Sequence, residues 1–250
     1  MVASAHDGGN FDDQIAAIVK AGPLPLLEVL DMTPNAEHMD QDSWRRLGDL
    51  RKLWTAAPNL RTLRVKGSSG SDGGKPIVLG AIDAPRLERF EYESSGLDKE
   101  VPTKIGEATL PKLAHLELWL GRKDYGNTYT LKSFSGIFAG KGLPALETLA
   151  IKNSEWESDL IAALAQSAIV RRIKHLDLSM SVLCRDAAAT LVEHAGAFAH
   201  LESINLDDNY LLKDHVSAIK RVLPNADFGR QREPEGDIDD RYSRYTSVGE

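Results

Sequence analysis

The chain has a single cysteine, Cys184, among 250 residues. No intramolecular disulfide can form, which excludes a disulfide-stapled architecture and fits a reducing compartment. Aromatic residues are also scarce, at 6%. A basic excess is missing: 37 acidic residues face 30 basic ones, and the formal charge is −7. Nucleic acid and anionic membranes select for the opposite balance, so neither is expected as a partner. Nowhere do apolar residues run on for the ~18 positions that a membrane helix needs. The opening, MVASAHDGGNFDDQIAAIVKAG, has neither the basic flank nor the apolar stretch of a secretory signal. The expectation is a cytoplasmic protein.

What the chain does have is a recurring phrase, Leu-x-x-Leu-x-Leu, usually just after Pro-x. It begins at Leu27, Leu60, Leu87, Leu113, Leu146, Ile173 and Leu201, with starts 26 to 33 residues apart. Proline precedes five of them, at Pro25, Pro58, Pro85, Pro111 and Pro144, and a degenerate eighth unit follows at Pro224. A period of this size marks stacked supersecondary units that share one core. Within each phrase, two residues separate the first pair of apolar positions and one separates the next. A bend supplies the first anchor and a period-two strand supplies the others, so all three side chains enter the core.

The last two units extend the pattern furthest. Leu201, Ile204, Leu206, Asn209 and Leu211 fill one run, and Ile173, Leu176, Leu178, Ser181 and Leu183 the other. An asparagine or serine there can bond backbone groups where the chain leaves the strand. In these features the chain resembles the leucine-rich-repeat superfamily, of the longer ribonuclease-inhibitor-like type, over roughly residues 24–228. Its ending, RYSRYTSVGE, is similar to those of uncharacterised bacterial cytoplasmic leucine-rich-repeat proteins. The resemblance implies an α/β fold: a right-handed solenoid with a curved parallel sheet on its concave side and helices and loops on its convex side. It also implies a binding surface without built-in chemistry. The cysteine-rich caps common in extracellular members are absent.

Between the strand phrases the apolar spacing becomes helical. Trp44, Leu47, Leu50 and Trp54 would share one face. Leu160, Ile161 and Leu164 would share another, followed by Ala187, Leu191 and Val192, and by Val216, Ile219 and Val222. Ser154 and Glu157 are spaced as a capping box for the second of these helices. The glycine-rich GSSGSDGGKP and the stretch between Glu93 and Pro111 read as loops, and GRKDYGNTYT as a polar insertion ahead of a short helix near 134–138. Three parts follow: residues 1–23 with a capping helix at 11–20, a repeat domain of about eight units over 24–228, and a polar tail over 229–250. The tail is expected to be mobile, with Tyr242 and Tyr245 as local docking points.

The strand register lists one exposed face. Along the chain it carries Val29, Asp31, Thr33, Thr62, Arg64, Lys66, Arg89, Glu91, Glu93, His115, Glu117 and Trp119. The later units add Thr148, Ala150, Lys152, His175, Asp177, Ser179, Ser203, Asn205 and Asp207. Six acids and four bases make it polar and mixed in charge. With parallel strands about 4.8 Å apart, Arg64, Glu91 and Glu117 become lateral neighbours. They form either a surface ion-pair ladder or a docking patch. Trp119 either faces solvent as an anchor for a partner or is covered by the insertion.

Recognisable chemistry is scarce. His115 and His175 sit at equivalent positions two strands apart, roughly 9–10 Å, too far to share a zinc ion. No metal or cofactor is expected. GSSGSDGGKP fails as a phosphate loop, since Ser69 stands where its first glycine should be and Pro76 follows the lysine. Cys184 opens a helix, where its thiol pKa could fall, but it is expected to be buried and inert. The reading is a non-catalytic module that binds an unidentified protein through Trp119, Arg89, Glu91, Glu117 and His115, with Arg64 and Lys152 at the edges. Two alternatives stay open. One is a structural subunit using its convex face or tail. The other is a small enzyme with Asp124, Tyr125 and Tyr129 meeting Glu117 at the insertion.

Overall fold

The structure is a computed structural model that describes residues 11–33, 48–67 and 77–247. Among the described residues the chain is α/β, with eight strands in a single open sheet whose spatial order is the sequence order. The strands are β1 (Val29–Met32), β2 (Thr62–Lys66), β3 (Arg89–Glu93) and β4 (His115–Gly121). After them come β5 (Thr148–Ser154), β6 (His175–Asp177), β7 (Ser203–Asn205) and β8 (Ala226–Asp227). Every neighbouring pair is parallel. Each recurring phrase ends in one strand, and the degenerate eighth unit supplies β8.

Eight helices fill the connections: α1 (Asp12–Lys20), α2 (Leu53–Ala56), α3 (Glu100–Glu107) and α4 (Ser135–Ala139), then α5 (Ser158–Gln166), α6 (Arg185–Glu193), α7 (Ala195–Phe198) and α8 (Lys213–Val222) among the described residues. Period-two alternation sends Leu30, Leu63, Phe90, Leu116, Leu149, Leu176 and Ile204 into one continuous core. The first leucine of each phrase is buried as well, from Leu27 to Leu201. Leu160, Ile161 and Leu164 on α5, and Ala187 and Leu191 on α6, close the same core from the helical side. Complete burial of a leucine is worth roughly 1.5–3 kcal/mol, so this layer dominates stability.

Three consecutive units leave their strands through a left-handed residue: Asn153, Met180 and Asp208 have φ between 53° and 63°. The turn is held by the polar residue that follows the strand. Asn209 is fully buried. Its Nδ2 donates to the carbonyls of Leu178, Leu206 and Asp207 at 3.0–3.1 Å, and its Oδ1 accepts from the Leu183 amide at 3.2 Å. Ser181 does part of this work one unit earlier, donating to Ser179 O and accepting from the Ser154 amide.

Several expectations change. The stretch after Glu93 holds a helix, α3, which buries Val101 and Ile105 despite Pro102 and Gly106. The close approach of Gly106 to Gly136 on α4 explains that glycine, because a Cβ on either would meet backbone at under 3 Å. The Ser154–Glu157 capping box does not form. Glu157 occupies the position before α5 without a side-chain cap, Ser154 Oγ accepts from the Trp156 amide, and Glu157 pairs with Arg244 instead. Trp44, Leu47 and the glycine-rich segment after Gly67 lie outside the described residues.

The C-terminal segment is docked along the ends of the later strands. Arg244 and Thr246 are buried. Arg244 Nη2 lies 2.7 Å from Glu157 Oε1, and its Nη1 donates to Cys184 Sγ at 2.8 Å. The Tyr245 amide donates to Tyr210 Oη, and Arg232 stacks over the Tyr210 ring at 4.5 Å. The segment is polar because its partners are carboxylates, carbonyls and rings rather than an aliphatic core.

Asn209→Ala should lower the unfolding free energy by about 2–4 kcal/mol, because the buried Leu178 carbonyl and Leu183 amide lose their partner, while the Leu206 and Asp207 carbonyls keep Gln231 and the Met180 amide. Ser181→Ala should cost only about 1 kcal/mol. Urea denaturation followed by circular dichroism measures both; equal effects would contradict the role given to Asn209.

Candidate functional site

The outward face of β2 to β5 gathers the residues singled out from the sequence. Register pairs Arg64 with Glu91, Glu91 with Glu117, Arg89 with His115 and Trp119 with Lys152. Each strand contributes alternate residues, since the opposite set is committed to the core. All seven of Arg64, Arg89, Glu91, His115, Glu117, Trp119 and Lys152 therefore lie on adjacent strands, partly exposed.

Their side chains form one connected charge network. Arg64 reaches Asp31 at 3.6 Å and Glu91 at 2.7 Å. Arg89 also contacts Glu91. His115 Nε2 lies between two carboxylates, 3.6 Å from Glu91 Oε1 and 3.4 Å from Glu117 Oε2. Glu117 Oε1 accepts from Trp119 Nε1 at 2.7 Å and from Lys152 Nζ at 3.3 Å. Lys152 also sits over the Trp119 ring, 4.9 Å from its centre. To one side, Lys66 faces Glu93 at 3.6 Å.

This arrangement decides the state of Glu117. Burial by itself would raise its pKa, but interactions with His115, Trp119 and Lys152 outweigh burial and hold it at about 2. Glu93 moves the other way, raised by burial, with Lys66 opposing. So one carboxylate is locked as an anion while its neighbour on the next strand is less acidic.

Trp119 is not covered by the insertion. It stands half-buried on the sheet face, with its ring edge tied to Glu117 and one ring face under Lys152. The insertion turns away at Gly121, whose φ is +64° and whose backbone crowds Ser95. Two positions expected on the exposed face, Ala150 and Ser179, are instead buried, at 1% and 4% exposure. Ala150 stands between Glu117 and Asp177, and longer neighbours cover its methyl.

A donor cluster escaped the search for paired histidines. Ligating atoms of Glu91, His115 and Glu117 all lie within 4.8 Å of one another. These are the residues that could hold a metal ion. The signal was available in the register, which sets Glu91 beside Glu117 and His115 two residues before it. Three cations, Arg64, Arg89 and Lys152, already neutralise the two carboxylates, which opposes a further cation there.

Two of the residues named for an enzymatic site, Tyr129 and Glu117, are committed to other contacts. Tyr129 is buried and donates to Gly121 O, its ring edge against Trp156 at 4.6 Å. Glu117 is engaged on the sheet face. Cys184 is buried at the start of α6, and burial, reinforced by Glu157, pushes its thiol pKa up rather than down. Among the described residues no helix is long and apolar enough to cross a membrane.

The fold has a known counterpart. A crystal structure of an uncharacterised protein from Bacteroides fragilis superimposes with a TM-score of 0.83 at 25% identity. The match covers 98% of this chain and 67% of that one. No protein-family model matches the chain. No curated protein sequence matches it either.

The depressed Glu117 pKa makes a signed prediction. Its ionisation contributes stability that is fully present above the ordinary carboxylate pKa and is lost as pH falls from about 4.5 towards about 2. Glu117→Gln should therefore remove up to about 3 kcal/mol of acid-dependent stability, flattening the pH profile in that window. Thermal melts between pH 5 and pH 2 would reveal it; parallel profiles for the two proteins would contradict it.

Proposed function

We propose that this chain is a right-handed leucine-rich-repeat solenoid that works as a non-catalytic protein-binding module in the bacterial cytoplasm. The recurring phrase, the in-order parallel sheet and the buried asparagine after β7 support the repeat assignment. In such a solenoid the sheet forms the concave side, and the network from Asp31 to Lys152 lies across its middle. The partner is a protein rather than nucleic acid or a lipid surface, because acids and bases alternate across that face without a basic excess.

One observation carries this reading: Trp119 is exposed in part and held in a fixed orientation. Tryptophan is favoured among residues that dominate binding energy. Its hydrogen bond to Glu117 and its contact with Lys152 fix it before any partner arrives, so less conformational freedom is lost on binding. Arg89, Glu91 and His115 would flank it as complementary polar contacts, with Arg64 and Lys152 at the edges. Among the described residues the exposed large apolar side chains fall in three separate places. Leu26 and Val29 lie at the start of β1, Leu212 and Val222 at opposite ends of α8, and Tyr242 and Tyr245 on the tail. That dispersal favours the sheet face over a convex-face structural contact.

The partner would be found by affinity purification from the native host with mass spectrometry, then titrated calorimetrically. Trp119→Ala should weaken the complex by more than about 1 kcal/mol, whereas Val222→Ala should leave it unchanged. Full affinity in Trp119→Ala would remove the sheet face from consideration.

A further inference from the structure

A second candidate lies at the carboxyl ends of the strands, away from the Trp119 face. There the docked C-terminal segment roofs a cavity of about 510 Å³. Its walls are Arg122, Lys123, Asp124, Glu155, Glu157, Val182, Tyr242 and Arg244. That volume falls within the ~300–1,000 Å³ usual for small-molecule sites.

Formal charges in the lining balance, three basic against three acidic. The hydrogen-bonding capacity does not. Each carboxylate is already engaged. Glu157 takes Arg244 Nη2 at 2.7 Å and the Cys184 thiol at 3.6 Å. Glu155 takes the Lys123 amide at 2.8 Å and faces Arg122 at 3.7 Å. Asp124 takes Arg122 Nη2 at 3.3 Å. The donors, by contrast, keep hydrogens to give. The Nε atom of Arg244 is buried without an acceptor, and that of Arg122 makes no hydrogen bond, its nearest carboxylate being Glu155 at 3.7 Å. The Arg244 side chain is only 5% exposed, so water cannot freely compensate. The Lys123 ammonium and the Tyr242 hydroxyl have no partner among the described residues. Lys123 and Tyr242 are exposed and hydrated, but the buried arginine Nε donors are costly to leave unpaired and call for an acceptor.

Two contacts keep the basic groups in place. Tyr245 stacks against the Arg122 guanidinium at 4.4 Å, and Arg244 is clamped by Glu157. The insertion and the C-terminal segment, about 120 residues apart in sequence, thus assemble one donor-rich pocket. We propose that this pocket binds a small molecule through a carboxylate or phosphate group, with Lys123 and Tyr242 as direct donors and Arg122 and Arg244 supplying the positive wall. Charge-assisted hydrogen bonds from guanidinium and ammonium groups to such oxyanions are the strong kind.

The test uses the full chain and the Arg Nε–Hε NMR resonances. Inorganic phosphate and succinate would be titrated separately at constant ionic strength, with chloride as the balancing anion. The expected result is a saturable shift of the Arg122 and Arg244 signals with at least one probe, at low millimolar concentration. Saturation with phosphate alone points to a phosphate ester, with succinate alone to a carboxylate, and with both to their shared chemistry. Lys123→Ala should weaken binding at least about fivefold and Lys123→Arg should retain it, the melting temperature staying fixed because Lys123 is exposed. Linear, unsaturating shifts with both probes would overturn the proposal, as would equal affinity in Lys123→Ala.

Discussion

One constraint organises this molecule. Every unit must place its apolar residues in a core shared with the next unit, because no unit is large enough to bury them alone. A parallel strand has two faces and a period of two, so once Leu63, Phe90, Leu116 and Leu149 point inward, Arg64, Glu91, Glu117 and Ala150 have no choice of side. Parallel register then aligns those outward positions into rows. The charge network across β2 to β5 is a direct consequence of core packing, before any question of function arises.

The rows also set this network apart from ordinary surface ion pairs, which are usually weak. Adjacent strands bring Arg64, Glu91, His115 and Glu117 into contact while their backbones are fixed by the sheet, so little ordering cost remains. Glu117 receives three partners, enough to overcome its burial. Trp119 is steered by the same residue. The face is therefore pre-arranged, which is what the proposed recognition role requires. The second site rests on a different principle: the C-terminal segment binds by guanidinium pairs and ring contacts at the ends of strands, and it leaves donors unspent.

The sequence made the strands legible because the leucine phrase recurs, and from the strands it made the lateral neighbours legible. Arg64, Glu91 and Glu117 lie side by side as the register requires. Helix α3 was not legible, because Pro102 and Gly106 obscure its period while only Val101, Pro102 and Ile105 are buried in it. Nor was the role of Glu157, whose local spacing reads as a cap but whose partner, Arg244, lies 87 residues away. Contacts such as Glu157–Arg244 depend on which distant segments the fold brings together, and local periodicity does not carry that information. The Glu91–His115–Glu117 cluster is different: the strand register contains it, and only the pairing of identical residue types passes it over.

The central claim is that the outward face of the sheet, centred on Trp119, is where this protein meets another. The most direct measurement is site-specific photocrosslinking in the native host. A benzophenone side chain would replace Thr148, the neighbour of His115 on the next strand, and in separate proteins Val222 on α8 or Tyr242 on the tail. The account predicts a discrete protein adduct from position 148 and none from 222 or 242. Adducts from 222 or 242 with none from 148 would contradict it.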